Sequence, residues 1–298
     1  MSSDIARKIV GRLGVWSWVD TLTAAEAREY AKRIEELGYG SLWLPEAVGR
    51  DPFATIVDLA RSTTKLGFAT GIANIYARDP MTMNTLRLTV GDLTEGRFLL
   101  GIGVSHKHLV SGIRGHEYKK PVATMRNYVE AMSKATFLAP KPEVDVPIVL
   151  AALRQNMTKL AGSATAGSHP YLTTPEHTQR AREILGDGPL LAPEQMVILE
   201  ENPDTARALA RETLKMYVRA PNYQKSLLWL GFEDKDFEGG EASDRLVDAL
   251  VAWGSADKIR EHIEKHFQAG ADHVCIQPLN PRGPKPDMDA LEALAPGA

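Results

Sequence analysis

Short apolar runs alternate with helix-like patterns along nearly the whole chain. Eight of these runs have the length and composition of buried strands, and most are followed by apolar residues at helical spacing. The predicted strands cover residues 12–18, 41–45, 66–73, 97–104, 147–153, 164–171, 190–199 and 273–279. Strand-then-helix repeats favour parallel pairing with right-handed crossovers. We therefore predict that residues 1–298 form one α/β domain, a closed (β/α)8 TIM barrel, with a doubly wound open sheet as the alternative.

Capping side chains mark several of the predicted helix starts. Thr23 is followed three residues later by Glu26, which is the pattern of a capping box. Four other polar residues stand directly before a proline, which suits the first turn of a helix: Asp51, Asp79, Thr174 and Asn202. These signals predict helices after the first, second, third, sixth and seventh strands.

Residues 219–243 do not fit the alternation and form an aromatic insertion before the last helices. The segment contains Asn222, Tyr223, Trp229, Phe232 and Phe237. It is interpreted as a lid over the barrel mouth, a dimer contact or ordinary surface packing. We expect packing or dimerisation in preference to a catalytic lid.

Composition excludes several classes of protein. The net charge is −3, and no basic run is longer than Lys119-Lys120, so nucleic acid is not an expected partner. The single cysteine, Cys275, lies in an apolar stretch, which predicts a buried strand residue in a reducing cytoplasm. Residues 1–8 are polar and no apolar run approaches about 18 residues, so neither a signal peptide nor a membrane span is expected.

The most informative stretch, residues 65–76, reads as a buried strand that runs into an irregular Gly-Ile-Ala-Asn corner at residues 71–74. A glycine-bearing bulge at a strand end, just before a helix start, shapes the backbone for close approach to a ligand. The alternative is that Gly71 only eases a tight bend.

The predicted strand ends carry many aromatic side chains and few charges. In a barrel of this kind the site lies at the C-terminal ends of the strands. The aromatic residues there are Trp16, Trp18, Trp43, His169 and Tyr171. Such a mouth suits a large planar cofactor better than a small, highly charged substrate.

Three polar groups at the strand ends have candidate chemistry. Glu46 is placed for acid–base or hydrogen-bonding work, or else it pairs with Arg50. Arg154-Gln155-Asn156 opens a helix directly after a strand, where free N–H groups and a guanidinium suit a phosphate, although a plain surface cation is the alternative. His106 and His108 could bind a metal, but the other strand ends offer no familiar ligand pattern, so no metal is expected.

Five stretches together resemble a known family over nearly the full length of the chain. They are residues 40–47, 69–80, 95–106, 170–178 and 269–274. In this order they resemble the bacterial luciferase-like flavin and deazaflavin oxidoreductases, and more closely the actinobacterial branch that uses the deazaflavin coenzyme F420.

The resemblance implies a cofactor site around the glycine corner. It implies a non-proline cis peptide at Gly71–Ile72 and a cofactor ring backed by Ile72. The residues it assigns to cofactor binding are Thr70, Gly71, Ile72, Ala73, Asn74, Gly103, Val104, Ser105, His106, Leu153, Arg154, Gln155, Asn156 and Met157. It places Glu46, Asn74 and His106 nearest the reactive ring edge as candidate catalytic residues, and Trp16, Trp18 and Trp43 as walls of the substrate pocket.

The functional hypothesis follows from this resemblance and from one departure from it. Ala47 and Val104 replace the catalytic His and the acidic residue of the family's sugar-phosphate dehydrogenases, so oxidation of a sugar phosphate is not expected. We expect hydride transfer between coenzyme F420 and an unidentified, apolar or planar organic substrate, with Glu46 or His106 handling the proton. The alternatives are an FMN-dependent monooxygenase, a metal-dependent barrel hydrolase using His106 and His108, and a cofactor-binding protein without turnover. A homodimer is also expected, because dimers are common in the resembling family.

Overall fold

Parallel strands close into a barrel in the computed structural model, which describes residues 2–297. The strands are β1 (Leu13–Trp16), β2 (Ser41–Leu44), β3 (Gly67–Thr70), β4 (Ala73–Asn74), β5 (Phe98–Gly103), β6 (Ile148–Leu150), β7 (Gly167–Ser168), β8 (Leu190–Leu191), β9 (Glu194–Leu199), β10 (Val251–Gly254) and β11 (Val274–Pro278). β11 pairs with β1 on one side and β9 on the other, while β8 pairs with β7. Because β8 runs into β9 across only two residues, the sheet closes on itself. The predicted (β/α)8 barrel is confirmed, and the open-sheet alternative is wrong.

Helices surround this barrel. They are α1 (Ser2–Val10), α2 (Ala24–Glu36), α3 (Pro52–Ala60), α4 (Pro80–Leu93), α5 (Pro121–Ser133), α6 (Gln155–Ala164), α7 (Pro175–Leu185), α8 (Pro203–Val218), α9 (Pro221–Leu230), α10 (Asp244–Leu250), α11 (Ala256–Gln268) and α12 (Met288–Ala293). The Thr23–Glu26 capping box is present at α2. The side chains of Asp51, Asp79, Thr174 and Asn202 accept backbone N–H bonds at the starts of α3, α4, α7 and α8, as predicted.

Proline explains two differences from the predicted strands. The seventh predicted strand, residues 190–199, is split into β8 and β9 around Pro193, which has no N–H but accepts from the Cys275 N–H at 3.0 Å. The sixth, residues 164–171, shrinks to the two residues of β7, and Pro170 follows it closely. Both short strands still keep their places in the barrel.

Two elements that the sequence did not predict bear on the barrel itself. α1 buries Ala6 and Val10 and closes the N-terminal end of the barrel, where the Ser41 hydroxyl donates to the Val10 carbonyl at 3.0 Å. Because most residues of α1 are polar, the sequence did not predict a helix that covers the barrel end. β10 lies outside the closed barrel and pairs in parallel with β9.

The barrel interior is filled around Trp43. This side chain is fully buried, stacks on His169 at 4.3 Å between ring centroids, and donates from Nε1 to Ser41 Oγ and His273 Nε2 at 3.1 Å. Cys275 is buried in the same cluster, as predicted for a strand residue, and burial raises the pKa of its thiol. Among residues 2–297, no helix combines the length and the apolar character that a bilayer crossing requires.

Candidate active site

The glycine corner after β3 lies at the mouth of the barrel. The peptide bond between Gly71 and Ile72 is cis. The Trp16 indole Nε1–H donates to the Gly71 carbonyl at 2.7 Å, and the Gly71 N–H donates to the Leu44 carbonyl at 2.8 Å. A Cβ at position 71 would lie 2.7 Å from Trp16 Nε1 and 3.1 Å from His169 Nε2. The close approach of these two rings therefore requires glycine here.

Two glycines of β5 make room for the corner. A Cβ at Gly103 would lie 2.5 Å from Ile72 Cδ1, and a Cβ at Gly101 would lie 2.0 Å from the Thr70 carbonyl oxygen. The Thr70 hydroxyl donates to the Gly101 carbonyl at 2.6 Å and is buried. Ala73 and Asn74 then form β4 against β5. Ile72 is thus held in one place between strands, with its side chain half-buried.

Glu46 stabilises this corner through two hydrogen bonds. Its Oε2 accepts from the Asn74 N–H at 2.7 Å, and its Oε1 accepts from Arg78 Nη1 at 2.6 Å. The two charged side chains are only 7% and 12% exposed. Because both carboxylate oxygens have partners, the geometry favours a supporting role for Glu46 over proton transfer. The predicted alternative partner, Arg50, instead bonds to the Leu22 carbonyl and to Asp20.

Asn74 brings an unused hydrogen-bond donor to the corner. Its side chain is fully buried, and its Oδ1 accepts from the Tyr76 N–H at 2.9 Å. Its Nδ2 has no hydrogen-bond partner among the described residues. Buried amide groups are almost always paired, so an unpaired one at a candidate site fits a partner that a ligand supplies.

The turn after β5 has an unusual backbone. Val104, Ser105 and His106 are half-buried, and Ser105 has a φ of 54°, a left-handed conformation that is uncommon for a residue with a Cβ. The Tyr118 hydroxyl donates to the Ser105 carbonyl at 3.3 Å. A π-helical segment, His108–Ile113, follows directly. Such backbone features cluster at functional sites.

His106 meets the aromatic insertion. Its Nδ1 lies 3.2 Å from Asn222 Oδ1, and its ring centroid lies 5.4 Å from that of Tyr223. Because an amide oxygen can only accept, Nδ1 carries the proton and Nε2 keeps its lone pair. Burial lowers the pKa of His106, so the neutral imidazole is favoured. α9, which begins the insertion, therefore packs over the barrel mouth, and a dimer contact stays a prediction.

Asn222 and Tyr223 are candidate functional residues, but the sequence pattern placed them only in the insertion and not in the site. Their cluster of aromatic and amide side chains was visible in residues 219–243, but the contact with His106 joins residues 116 positions apart. A local pattern cannot specify such a pairing.

A row of aromatic rings crosses the mouth from β1 to His106. Successive ring centroids lie 5.1 to 5.5 Å apart along Trp18, Trp16, Tyr171, Tyr217, Tyr223 and His106. Trp16 and Trp18 are at the mouth, as predicted. Trp43 is not part of this row, because it points into the barrel between His169 and His273. The prediction of Trp43 as a substrate wall is therefore corrected to a core position.

The residues after β6 form the start of α6. Arg154 is the N-cap residue and is exposed, as are Gln155 and Asn156, while Met157 is buried on the inner face. The Leu153 carbonyl accepts from His177 Nε2 at 2.8 Å and from the Ser226 hydroxyl at 3.4 Å. A helix N-terminus next to an exposed guanidinium has the chemistry to hold an anionic group.

The described residues offer no ligand set for a metal. His108 is exposed in the π-helical segment, and His106 Nδ1 is already bonded to Asn222. Residues 2–297 contain no group of three or more His, Cys, Asp or Glu side chains placed to share an ion. The hydrolase alternative based on His106 and His108 therefore has no ligands to support it.

A buried carboxyl below the mouth was also missed. Glu194 on β9 is fully buried, its Oε2 accepts from the Leu172 N–H at 3.0 Å, and its Oε1 has no partner among the described residues. Burial raises the pKa of Glu194 to about 8, so the protonated form is favoured at neutral pH. The available signal was a lone acidic residue inside an otherwise apolar run.

Comparison with known proteins identifies the family of the chain. A model of the luciferase-like monooxygenase family matches residues 9–273. A Mycobacterium tuberculosis protein named "Putative coenzyme F420-dependent oxidoreductase" is 26% identical over 207 residues, which is 59% of this chain and 59% of that protein. The match thus spans less than two thirds of that relative. The family resemblance seen in the sequence is confirmed.

Two solved structures share the fold. The coenzyme F420-dependent tetrahydromethanopterin reductase from Methanopyrus kandleri has a TM-score of 0.76 at 17% identity, covering 95% of this chain and 97% of that one. The FMN-bound oxygenating constituent of 3,6-diketocamphane monooxygenase from Pseudomonas putida has a TM-score of 0.72 at 17% identity, covering 95% and 96%. At such identities these structures support the barrel fold alone.

Proposed function

Because the chain belongs to the luciferase-like monooxygenase family, we propose that it transfers hydride between coenzyme F420 and an organic substrate. The observation that carries the proposal is the corner at residues 71–74, where Ile72 is fixed on Gly103 and Trp16 holds the Gly71 carbonyl. An F420-dependent name among the sequence relatives favours the deazaflavin over FMN. The bound deazaflavin would supply a ring carbon that accepts or donates hydride.

The residues present fit such a cofactor. Ile72 offers an apolar surface at the mouth, and the buried Asn74 Nδ2 offers an unpaired donor beside it. The turn at Val104, Ser105 and His106 would line the side chain of the cofactor. The exposed Arg154 and the N-terminus of α6 would hold its anionic phosphate.

Among the candidate proton carriers, the geometry favours His106. Its Nε2 keeps a free lone pair because Nδ1–H points to Asn222 Oδ1. The Glu46 carboxylate is instead paired with Arg78 and with the Asn74 N–H. We therefore assign proton transfer to His106 and support of the corner to Glu46.

Fluorescence titration with oxidised F420 tests the proposal. Wild-type protein should bind in the micromolar range, and Gly71→Ala should bind at least about tenfold more weakly, because the new Cβ meets Trp16 and His169. Gly188→Ala is the matched control, since a Cβ there meets nothing within 4 Å. Melting temperatures of all three proteins separate loss of binding from loss of fold.

Two outcomes would contradict the proposal. Failure of wild-type protein to bind F420 near millimolar concentration would remove the cofactor assignment. Tighter binding of FMN, together with oxygen consumption when reduced FMN is supplied, would favour the monooxygenase alternative.

A further inference from the structure

A cavity of about 670 Å³ borders Trp16 at the mouth of the barrel. It opens between the C-terminal ends of β1 and β11 and the side of α8, and its walls include Trp16, Trp18, Tyr217 and Leu279. The volume lies within the range of small-molecule sites, which are mostly apolar with a few placed polar groups.

Gln277 is one of the polar residues that line this cavity. The side chain is only 5% exposed, and its Oε1 accepts from the Tyr171 hydroxyl at 2.9 Å. The Tyr171 hydroxyl also lies 2.9 Å from the Tyr217 hydroxyl, which helps to hold the Gln277 side chain in place. The Gln277 Nε2 makes no hydrogen bond to the described residues, and the side chain lines the cavity. An unpaired donor at the cavity wall is thus left for a ligand acceptor.

Two of the three cations that line the cavity have an ion-pair partner. Lys215 pairs with Glu212 at 3.6 Å, and Lys285 pairs with Glu26 at 2.8 Å. Arg219 has none among residues 2–297, and its side chain packs across Gly240. The apolar walls suit a neutral ligand better than a phosphate or a carboxylate.

Trp16 connects the cavity to the corner. Its ring lines the cavity, while its Nε1–H holds the Gly71 carbonyl at 2.7 Å. Trp16 is therefore shared between the cavity wall and the frame of the corner.

We propose that this cavity is the substrate pocket and that its substrates are neutral, planar, mainly apolar carbonyl compounds whose oxygen accepts from Gln277 Nε2. The proposal rests on the proposed function, because it assumes that the corner holds the redox cofactor. A donor on a carbonyl oxygen also draws electrons from the carbon that hydride attacks. The tryptophans and Tyr217 supply flat faces for an aromatic or conjugated frame.

Equilibrium dialysis of three matched naphthalene compounds, with no cofactor present, tests the pocket assignment. 2-Acetylnaphthalene carries the carbonyl, 2-ethylnaphthalene lacks it, and 2-naphthoate carries a charge instead. Wild-type protein should bind the ketone about fivefold more tightly than the hydrocarbon, as one hydrogen bond allows. Gln277→Leu removes the donor, so this preference should vanish, and in Gln277→Glu it should vanish at a pH where the new carboxyl is ionised.

The controls separate this proposal from the proposed function. Gln179→Leu, an exposed position on α7, should keep the wild-type preference. Leu209→Trp fills the cavity and should weaken both neutral probes at least about tenfold. The affinity for F420 should stay within about twofold of wild type in both Gln277 variants. If F420 does not bind wild-type protein, the proposed function fails whatever the probes do.

Three results would overturn the pocket assignment itself. They are equal binding of ketone and hydrocarbon by wild type, a preference that survives in Gln277→Leu, and naphthoate binding more tightly than the ketone.

Discussion

The Arg78 guanidinium lies 2.6 Å from the Glu46 carboxylate, and the two side chains tie the end of β2 to the segment after the glycine corner. Arg78 also packs over the Phe53 ring at 4.7 Å and pairs with Asp51. The pair is thus part of the frame that holds residues 71–74 in place.

Replacing Glu46 by Gln should leave a nearly buried guanidinium with the half-exposed Asp51 as its remaining counter-ion. We expect the free energy of unfolding to fall by about 2 kcal/mol, as measured by urea denaturation. The double variant Glu46→Gln with Arg78→Met should recover to within about 1 kcal/mol of wild type, because it removes the guanidinium together with the carboxylate.

The matched control for this pair is Glu29→Gln, whose ion pair with Lys32 is exposed and should be worth less than about 0.5 kcal/mol. If the double variant folds and binds F420 but loses turnover by a hundredfold or more, as removal of a general acid or base would cause, Glu46 is a proton carrier after all.

His106→Gln should slow turnover about 100-fold with little change in F420 affinity, because Gln cannot exchange a proton. In the direction in which His106 accepts a proton, the rate should fall only at a pH below the ordinary imidazole pKa of about 6.5, because burial lowers the pKa of His106. His108→Gln, at an exposed position two residues on, should behave like wild type. Equal losses in both variants would mean that the reaction does not depend on His106 in particular.

Four buried histidines should make the protein sensitive to acid. Burial lowers the pKa of His169 and His177 to about 4 and of His266 and His273 to about 3. Their stabilisation is complete above the unfolded pKa of about 6.5 and decreases as the pH falls below it, because the unfolded chain then binds more protons. The protein should therefore be markedly less stable at pH 5 than at pH 7.

The slope of stability against pH is the measurement to make. Between pH 6 and 5 the free energy of unfolding should depend less steeply on pH in His266→Gln than in wild type. The two slopes should differ by about 1.4 kcal/mol per pH unit, the value for one proton. A slope identical to that of wild type would show that His266 is protonated in the native protein.

Glu194 should have the opposite pH dependence. Its pKa is raised to about 8, so the unfolded chain releases a proton between about pH 4.5 and 8 that the native protein keeps. The stability due to this group therefore decreases as the pH rises through that window. Glu194→Gln should be more stable than wild type at pH 9 by about 3 kcal/mol, and similar to it at pH 5. Glu201→Gln, an exposed neighbour, should change neither value.

Local signals in the sequence predicted the elements that depend on a few neighbouring residues. Asp51 and Asp79 marked helix starts because a short side chain before proline satisfies the first N–H groups. The Gly71 corner was recognised because an irregular glycine segment interrupts a buried strand. The family resemblance then added the cis bond, which no local pattern indicates.

Contacts between distant segments could not be predicted in this way. Glu46 meets Arg78 across 32 residues, and His106 meets Asn222 across 116. Trp43 was misplaced because all of β2 is buried, so alternation does not show which face points into the barrel. The burial of Glu194 was not predicted, because a charged carboxylate is rarely buried. The protonated carboxyl that burial favours can occupy such a position.

α1 occupies the end of the barrel opposite the candidate site, with Ala6 and Val10 fully covered. A fusion partner or surface linker attached ahead of Ser2 would consequently project away from the mouth. Sensor-chip formats anchored at that terminus should leave the ligand entrance facing the flowing solution.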